Sequence, residues 1–121
     1  MRFGMSMALA GAVSLVHAGH AAAQQREIGY PKGSLGVQAI LDADYDTAER
    51  QLDDFRVDDK DPGRLINLGS IFAKTGRTES AERHFKQVLE EENVELILAD
   101  GRTMPSHDIA RLALSRLTSN E

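Results

Sequence analysis

The sequence predicts an all-helical fold of antiparallel helical hairpins, closed by a C-terminal helix. The first observation is a self-match at a spacing of 33 residues, in which Ser34-Leu35-Gly36 recurs as Asn67-Leu68-Gly69. Asp46–Arg50 likewise recurs as Glu79–Arg83. A fixed period of this length is typical of stacked repeats, in which each unit buries its apolar face against its neighbours. The second observation is apolar residues at helical spacing on both sides of a short connector in the second copy.

The second copy, residues 62–93, has the clearest helical pattern. Its first helix should start at Pro62 and bury the stripe Leu65, Leu68, Gly69 and Phe72. Gly76 allows the left-handed conformation that ends a helix, and Thr78 is expected to cap the next one. The second helix should bury the stripe Ala81, Phe85, Val88 and Leu89. Because only residues 74–77 separate the two segments, they are expected to form an antiparallel hairpin.

The first copy, residues 29–61, has a weaker pattern. Two glycines reduce the helix propensity of its first segment, residues 34–41. A second helix is expected to run from a cap at Asp44 or Asp46 to about Arg56. Its predicted buried face is formed by Ala48, Leu52 and Phe55.

Residues 94–121 no longer follow the period. Residues 94–99 are β-prone and Asp100-Gly101 is a tight-turn dipeptide, so a short β-hairpin or one extended arm is predicted. An extension of the preceding helix through this stretch stays open as an alternative. A last helix is expected to begin with Ser106 as its cap and to seal the end of the stack. Its predicted buried face is formed by Ile109, Leu112, Ala113 and Leu117.

Residues 1–23 have the layout of a secretory signal peptide. Arg2 supplies a positive start, Met5–Val16 is largely apolar, and small residues precede Gln24. A transmembrane anchor is the alternative, but an apolar core of about a dozen residues is shorter than the roughly 20 that span a bilayer. The chain has no cysteine for a lipid anchor. We therefore expect a periplasmic or secreted protein without stable membrane insertion, beginning with a flexible segment over residues 24–33.

Charge and composition exclude several classes of partner. The formal net charge is −5, whereas nucleic-acid phosphates and anionic membrane surfaces favour clustered Lys and Arg. The chain has no tryptophan, and aromatic residues make up 5% of it, which disfavours base stacking. Nucleic acid is therefore not an expected partner.

Residues with catalytic or metal-binding patterns are absent from the sequence. It has no cysteine nucleophile and no serine in a nucleophile-elbow pattern. The two histidines beyond the signal segment, His84 and His107, have no partner at metal-ligand spacing. The aspartates of residues 58–61 lack the glycine and glutamate that an EF-hand loop requires. We therefore predict a protein that is not an enzyme, with no catalytic residue, no metal site and no cofactor.

Segment 62–93 resembles a tetratricopeptide repeat. The signature positions are occupied by Asn67-Leu68-Gly69, Phe72, Gly76, Ala81, Phe85 and Val88. The preceding unit, residues 29–61, is similar to a degenerate copy, in which Ala43 stands in place of the turn glycine and the usual closing proline is missing. The resemblance implies two stacked helical hairpins over residues 34–93. It also implies binding of peptides or protein segments in the groove lined by the first helix of each repeat.

The resemblance implies partner-binding residues at Asn67, Ser70, Lys74, Val37 and Leu41. The predicted function is a non-catalytic protein–protein interaction module of a bacterial-type cell envelope, which binds a protein or peptide partner on this face. The alternative is a structural subunit that forms a homo-oligomer or completes a larger envelope assembly. In that case Val94–Ala99 would be an edge strand available for pairing, because unpaired backbone groups invite a further strand.

Overall fold

The computed structural model of the chain describes residues 29–119. The predicted signal peptide and residues 24–28 of the predicted flexible segment lie outside this range. Within it the chain is mainly helical, as predicted, with one small antiparallel sheet. The elements in chain order are α1 (Val37–Leu41), α2 (Tyr45–Leu52), α3 (Pro62–Lys74), α4 (Thr78–Glu90), β1 (Glu95–Ile97), β2 (Thr103–Pro105) and α5 (Ser106–Ser119).

The centre of the fold is the hairpin of α3 and α4, which make the most extensive contact between any two elements of residues 29–119. Pro62 occupies the start of α3, where a backbone N–H would have no partner within the helix. Gly76 turns the chain between the two helices at a φ of 79°. The helices approach closely at Gly69, where an added Cβ would lie 2.6 Å from Cε1 of Phe85. A larger residue at this crossing would force the Phe85 ring to move.

The predicted cap of α4 at Thr78 is wrong. Thr78 is the first helical residue, and the N-cap position is held by Arg77, whose side chain makes no capping hydrogen bond. The guanidinium of Arg77 instead lies over the ring of Phe72, 4.6 Å from its centroid, and pairs with the Glu49 carboxylate of α2 at 2.9 Å. Arg77 thus connects the hairpin turn to the first unit rather than capping its own helix.

The first unit forms two short helices. Gly36 precedes α1 with a φ of 63°, and a Cβ there would meet the Ala48 carbonyl oxygen at 3.0 Å. Asp44 caps α2 by accepting a hydrogen bond from the Thr47 amide at 3.3 Å, which confirms one of the two predicted caps. Part of the predicted flexible segment is packed, since Tyr30 lies against the first core cluster.

The second helix of the first unit is shorter than predicted, because α2 ends at Leu52. Beyond it, the Asp54 carboxylate accepts hydrogen bonds from the backbone and guanidinium of Arg56 and so forms a local turn. Phe55 lies in this turn and is 96% exposed, so its predicted place in the core is wrong.

The core consists of two clusters of buried side chains, and Phe72 packs against both. The first cluster joins α1 and α2 to α3. The second joins α3 and α4 to α5, so the last helix covers the hairpin. The largest members of the first cluster are Leu35, Ile40, Leu52, Leu68 and Ile71. Those of the second are Leu65, Ile66, Phe85, Val88, Leu98 and Ile109.

The segment between α4 and α5 is a β-hairpin, which rules out the alternative of a longer α4. Strand β1 pairs with β2 in antiparallel register, with Leu96 opposite Met104. Both of these side chains pack against the second core cluster. The opposite face of the hairpin carries exposed residues such as Glu95 and Ile97.

Helix α5 begins differently from the prediction. The Ser106 hydroxyl is buried and accepts a hydrogen bond from the Val94 amide at 3.0 Å, so it holds the strand instead of capping its own helix. The Asn93 side chain takes over that role by accepting from the His107 amide at 3.0 Å. Leu112 is 37% exposed, so its predicted burial is wrong. The buried residues of α5 are Ser106, Ile109 and Ala110.

Two searches of residues 29–119 bear on membranes and metals. None of the helices in this range is long and apolar enough to cross a membrane. The same residues contain no group of three or more His, Asp or Glu side chains that could hold a metal ion.

Candidate functional site

An open groove of about 370 Å³ lies between the N-terminal half of α3 and strand β1. We call it the β1 groove. One side is formed by α3, including Ile66 and Asn67, and the other by residues 94–98. Leu35 and Val37 of the first unit and Ile109 of α5 complete the lining. The groove is thus built from the first unit, from α3 of the second unit and from the C-terminal residues beyond the repeats.

Strand β1 lines the groove through its backbone edge. Successive side chains of a strand point to opposite faces of the sheet. Five consecutive residues, 94–98, all line the groove, and side chains of one face alone could not do this. The edge of β1 that does not pair with β2 therefore faces α3 across the groove.

Tyr30 and Asp61 contribute a hydrogen-bonded pair to the lining of the groove. The Tyr30 hydroxyl lies within hydrogen-bond distance of both carboxylate oxygens of Asp61, at 3.1 and 3.0 Å. Asp61 also caps α3 by accepting from the Arg64 amide at 3.0 Å. Burial, followed by the charge of Asp61 and this hydrogen bond, raises the pKa of Tyr30 well above its usual value. The tyrosine is therefore a neutral donor that fixes the N-terminal segment to the start of α3.

The polar groups of the groove give it a negative character. Asp61 and Glu95 are its charged residues, and no Lys, Arg or His side chain is part of the lining. Neither carboxylate has an ion-pair partner within residues 29–119. Asp61 faces the positive end of the α3 dipole, which offsets part of its charge. Glu95 is exposed and lacks such a neighbour, so it contributes most to the preference for a basic group.

The structure brings two of the five predicted binding residues to this groove, Asn67 and Val37. The side-chain amide of Asn67 donates to the Leu35 carbonyl oxygen at 2.9 Å, so it holds the first unit against α3. Asn67 therefore lines the groove and also takes part in holding the fold together. Val37 is only 3% exposed and belongs to the first core cluster, so most of its surface is used in folding.

The other three predicted binding residues lie outside the β1 groove. Leu41 packs against the first core cluster. Ser70 is half-buried and Lys74 is exposed at the end of α3. Asn67 and Lys74 are both on α3, but only Asn67 contributes to the groove. The five residues thus do not form one continuous site.

A second depression surrounds Phe55. It is lined by residues 50, 51 and 53–56, which belong to the end of α2 and the turn that follows. Because a single stretch of chain forms it, no second element lies opposite to enclose a ligand. The β1 groove, with walls from distant parts of the sequence, is the better candidate.

Sequence patterns did not reveal two groove residues, Tyr30 and Asp61, and they included Glu95 only as part of the edge segment of the alternative function. Asp61 carried a signal, since an aspartate before proline at a helix start is a typical cap. The position of β1 beside α3 had no such signal, because it follows from the packing of α5 on the hairpin rather than from a local pattern.

Comparisons of the chain with protein-family models, with curated proteins and with solved structures gave no match. The functional interpretation therefore depends on the residues of this chain.

Proposed function

We propose that this protein is a non-catalytic interaction module of a bacterial-type cell envelope that binds an extended peptide segment of a partner protein. The observation that carries the proposal is the β1 groove, which has an apolar helix on one side and an unpaired strand edge on the other. Peptide-binding sites use this combination, because the strand edge satisfies the backbone of the ligand while apolar residues accept its side chains.

The helical hairpins of tetratricopeptide type are part of the same proposal. Support comes from the second unit, in which Gly69 and Phe85 make the close crossing that the repeat positions require. The first unit is a weaker match because α1 has five residues. The proposed binding surface is accordingly displaced from the predicted face around Ser70 and Lys74 toward the start of α3.

Envelope localisation is proposed from residues 1–23 alone. If the signal segment is removed before Gln24, the first described residues of the groove, such as Tyr30, lie only a few positions from the mature N-terminus. Mass measurement of the protein recovered from the envelope fraction tests this step. A mature form beginning at or near Gln24 supports export, and an intact form retained in membranes contradicts it.

Binding is tested by selecting a phage library of random 12-residue peptides on the immobilised chain and measuring the affinity of recovered peptides by fluorescence anisotropy. Recovered peptides should bind with the same affinity to a Lys74→Ala variant, because Lys74 lies outside the groove. Asn67→Ala should weaken them. Loss of affinity in the Lys74→Ala variant as well would support the originally predicted face, which includes both residues, and no enrichment over an uncoated surface would overturn the proposal.

The alternative function, a structural subunit that self-associates through the edge of β1, is favoured by one observation. Ile97 is 41% exposed on the outer face of the hairpin. Light scattering over a range of concentrations separates the two proposals. A mass that stays monomeric supports peptide binding, whereas a concentration-dependent dimer supports self-association.

A further inference from the structure

The hydrogen-bond pattern of the β-hairpin determines which backbone groups face the β1 groove. The Ser106 amide donates to the Val94 carbonyl oxygen at 2.7 Å, and the Leu98 amide donates to the Arg102 carbonyl oxygen at 2.7 Å. In an antiparallel pair, hydrogen-bonded and non-hydrogen-bonded positions alternate along each strand. Residues 94, 96 and 98 therefore direct their backbone groups to β2.

Glu95 and Ile97 occupy the intervening positions, so their N–H and C=O groups point away from β2. Pro105, which has no N–H to donate, stands opposite Glu95 and fits this phase. No hydrogen bond within residues 29–119 engages the outward groups of Glu95 or Ile97. Together they present two donors and two acceptors on the side of β1 that lines the groove.

We propose that the β1 groove binds its partner by β-strand addition, in which an extended peptide carrying a basic residue pairs with Glu95 and Ile97 as a third strand. This inference rests on the proposed function and specifies its ligand. Charge complementarity supports the basic residue, because Glu95 and Asp61 have no ion-pair partner within residues 29–119 and the groove has no basic side chain.

A second folded copy of the chain fits this edge less well than a peptide. Paired strands must approach to about 4.8 Å. The same edge of a second copy would itself lie opposite its own α3, because residues 94–98 and α3 line one groove. Two such recessed edges obstruct each other, whereas an isolated extended segment can enter between β1 and α3.

The proposal is tested with a pair of proline variants that remove outward N–H groups from opposite edges of the sheet. Ile97→Pro removes a donor on the groove side. Its matched control, Thr103→Pro, changes the residue directly opposite Ile97 and removes a donor on the far edge of β2. Like Pro105, both residues occupy non-hydrogen-bonded positions of the antiparallel pair. Neither substitution therefore removes a hydrogen bond between β1 and β2.

The probe is the peptide of highest affinity from the phage selection. Ile97→Pro should weaken the binding of this peptide about tenfold, because the hydrogen bond from the Ile97 amide and the adjacent backbone hydrogen bonds to the peptide are lost. Thr103→Pro should leave the affinity unchanged. Equal binding to both variants would overturn strand addition while leaving the groove as a peptide site. The failure of the selection itself would overturn the proposed function together with this inference.

The charge preference is tested by Glu95→Lys, with Glu92→Lys as its control. Both residues are exposed, but only Glu95 lines the groove. Peptides with Lys or Arg should lose roughly two- to fivefold in affinity for the Glu95 variant and keep their affinity for the control. Equal losses would show that the overall charge matters and that no ion pair forms in the groove.

Amide hydrogen exchange measured by NMR reports the pairing directly. In the free chain, the amides of Glu95 and Ile97 should exchange faster than those of Leu96 and Leu98, and the peptide should slow them at least about tenfold. Slow exchange of Glu95 and Ile97 in the monomeric free chain would mean that another part of the same chain occupies the edge. Slow exchange accompanied by a concentration-dependent dimer would assign the edge to a second copy. Either result would overturn the proposal.

Discussion

The two units of the 33-residue period, residues 29–61 and 62–93, share their core positions but differ in their helices. The matched residues Leu35 and Leu68, Ala48 and Ala81, and Leu52 and Phe85 are all buried. The second unit nevertheless forms two helices of 13 residues each, and the first forms helices of 5 and 8 residues. Repeated apolar positions therefore determine which side chains are buried, without determining how long each helix is.

The turn positions explain part of this difference. Gly76 and Ala43 occupy equivalent places, and both adopt a positive φ, of 79° and 59°. A left-handed conformation is unstrained for glycine but costs an alanine about 1–2 kcal/mol. The first unit thus makes the same turn with a less suitable residue.

The ends of the units differ as well. Val88 is fully buried on α4, whereas the equivalent Phe55 lies beyond the end of α2 and is exposed. Asp54 favours this early end, because its carboxylate bonds to the backbone and side chain of Arg56. These hydrogen bonds also lower the pKa of Asp54 to about 2.

The largest expected effect contrasts two phenylalanines. Phe85→Ala should destabilise the fold by about 3–5 kcal/mol, since a buried ring that packs on Gly69 is replaced by a cavity. Phe55→Ala should change the free energy of unfolding by about 0.5 kcal/mol or less, because its ring is in water. Thermal and urea melts followed by circular dichroism measure both. Similar effects for the two variants would show that the turn after α2 is packed and that the units are more alike than described.

The next effect compares the two turns. Gly76→Ala should destabilise the protein by about 1–2 kcal/mol because it introduces the left-handed strain that Ala43 already bears. Ala43→Gly should be stabilising by a smaller amount, about 0.5–1 kcal/mol, because relief of strain is partly offset by the greater entropy of the unfolded chain. Urea melts of the two variants measure these opposite signs. A destabilising Ala43→Gly would contradict the equivalence of the two turns.

The last expected effect concerns the contact that holds the N-terminal segment to the start of α3 at the groove. Tyr30→Phe removes the hydrogen bond to Asp61 and should cost about 1 kcal/mol at pH 8. The raised pKa of Tyr30 means that the folded state favours the protonated phenol. This contribution is complete below the unfolded pKa of about 10 and is lost as the pH rises further.

Thermal melts at pH 8 and above pH 10 measure this contribution, with Tyr45→Phe as the matched control. The melting temperature of the unsubstituted chain should fall more steeply above pH 10 than that of Tyr30→Phe. Parallel curves for these two proteins would contradict the role assigned to the Tyr30–Asp61 contact.

Local patterns were sufficient for much of the fold. The start of α3 at Pro62, the glycine turn at Gly76 and the hairpin around Asp100-Gly101 each depend on residues close in sequence. The predicted cap at Thr78 was wrong because Thr78 is already the first residue of α4, and the predicted cap at Ser106 was wrong because a tertiary contact engages its hydroxyl. The Ser106 hydroxyl bonds to Val94, and Asn93 from the preceding loop satisfies the start of α5.

The candidate site was harder to predict than the fold. Asn67 was singled out from its repeat position, and it does line the groove, but its amide contacts Leu35 in a way that no helical pattern indicates. The edge segment 94–99 was singled out for the alternative function. Its position opposite α3 follows from long-range packing, which no local pattern indicates. The sequence therefore assigned Asn67 and segment 94–99 to two separate functional hypotheses, although both line the same groove.

NMR chemical-shift mapping of the selected peptide on the isotope-labelled chain tests the central claim most directly, because it reports the bound surface residue by residue. The account predicts that the largest amide shifts fall on both walls of the β1 groove, at Ile66 and Asn67 of α3 and at residues 94–98. The exposed end of α3 at Lys74 and the turn at Phe55 should shift little. Shifts centred on Lys74 or Phe55, with the groove unchanged, would contradict the account.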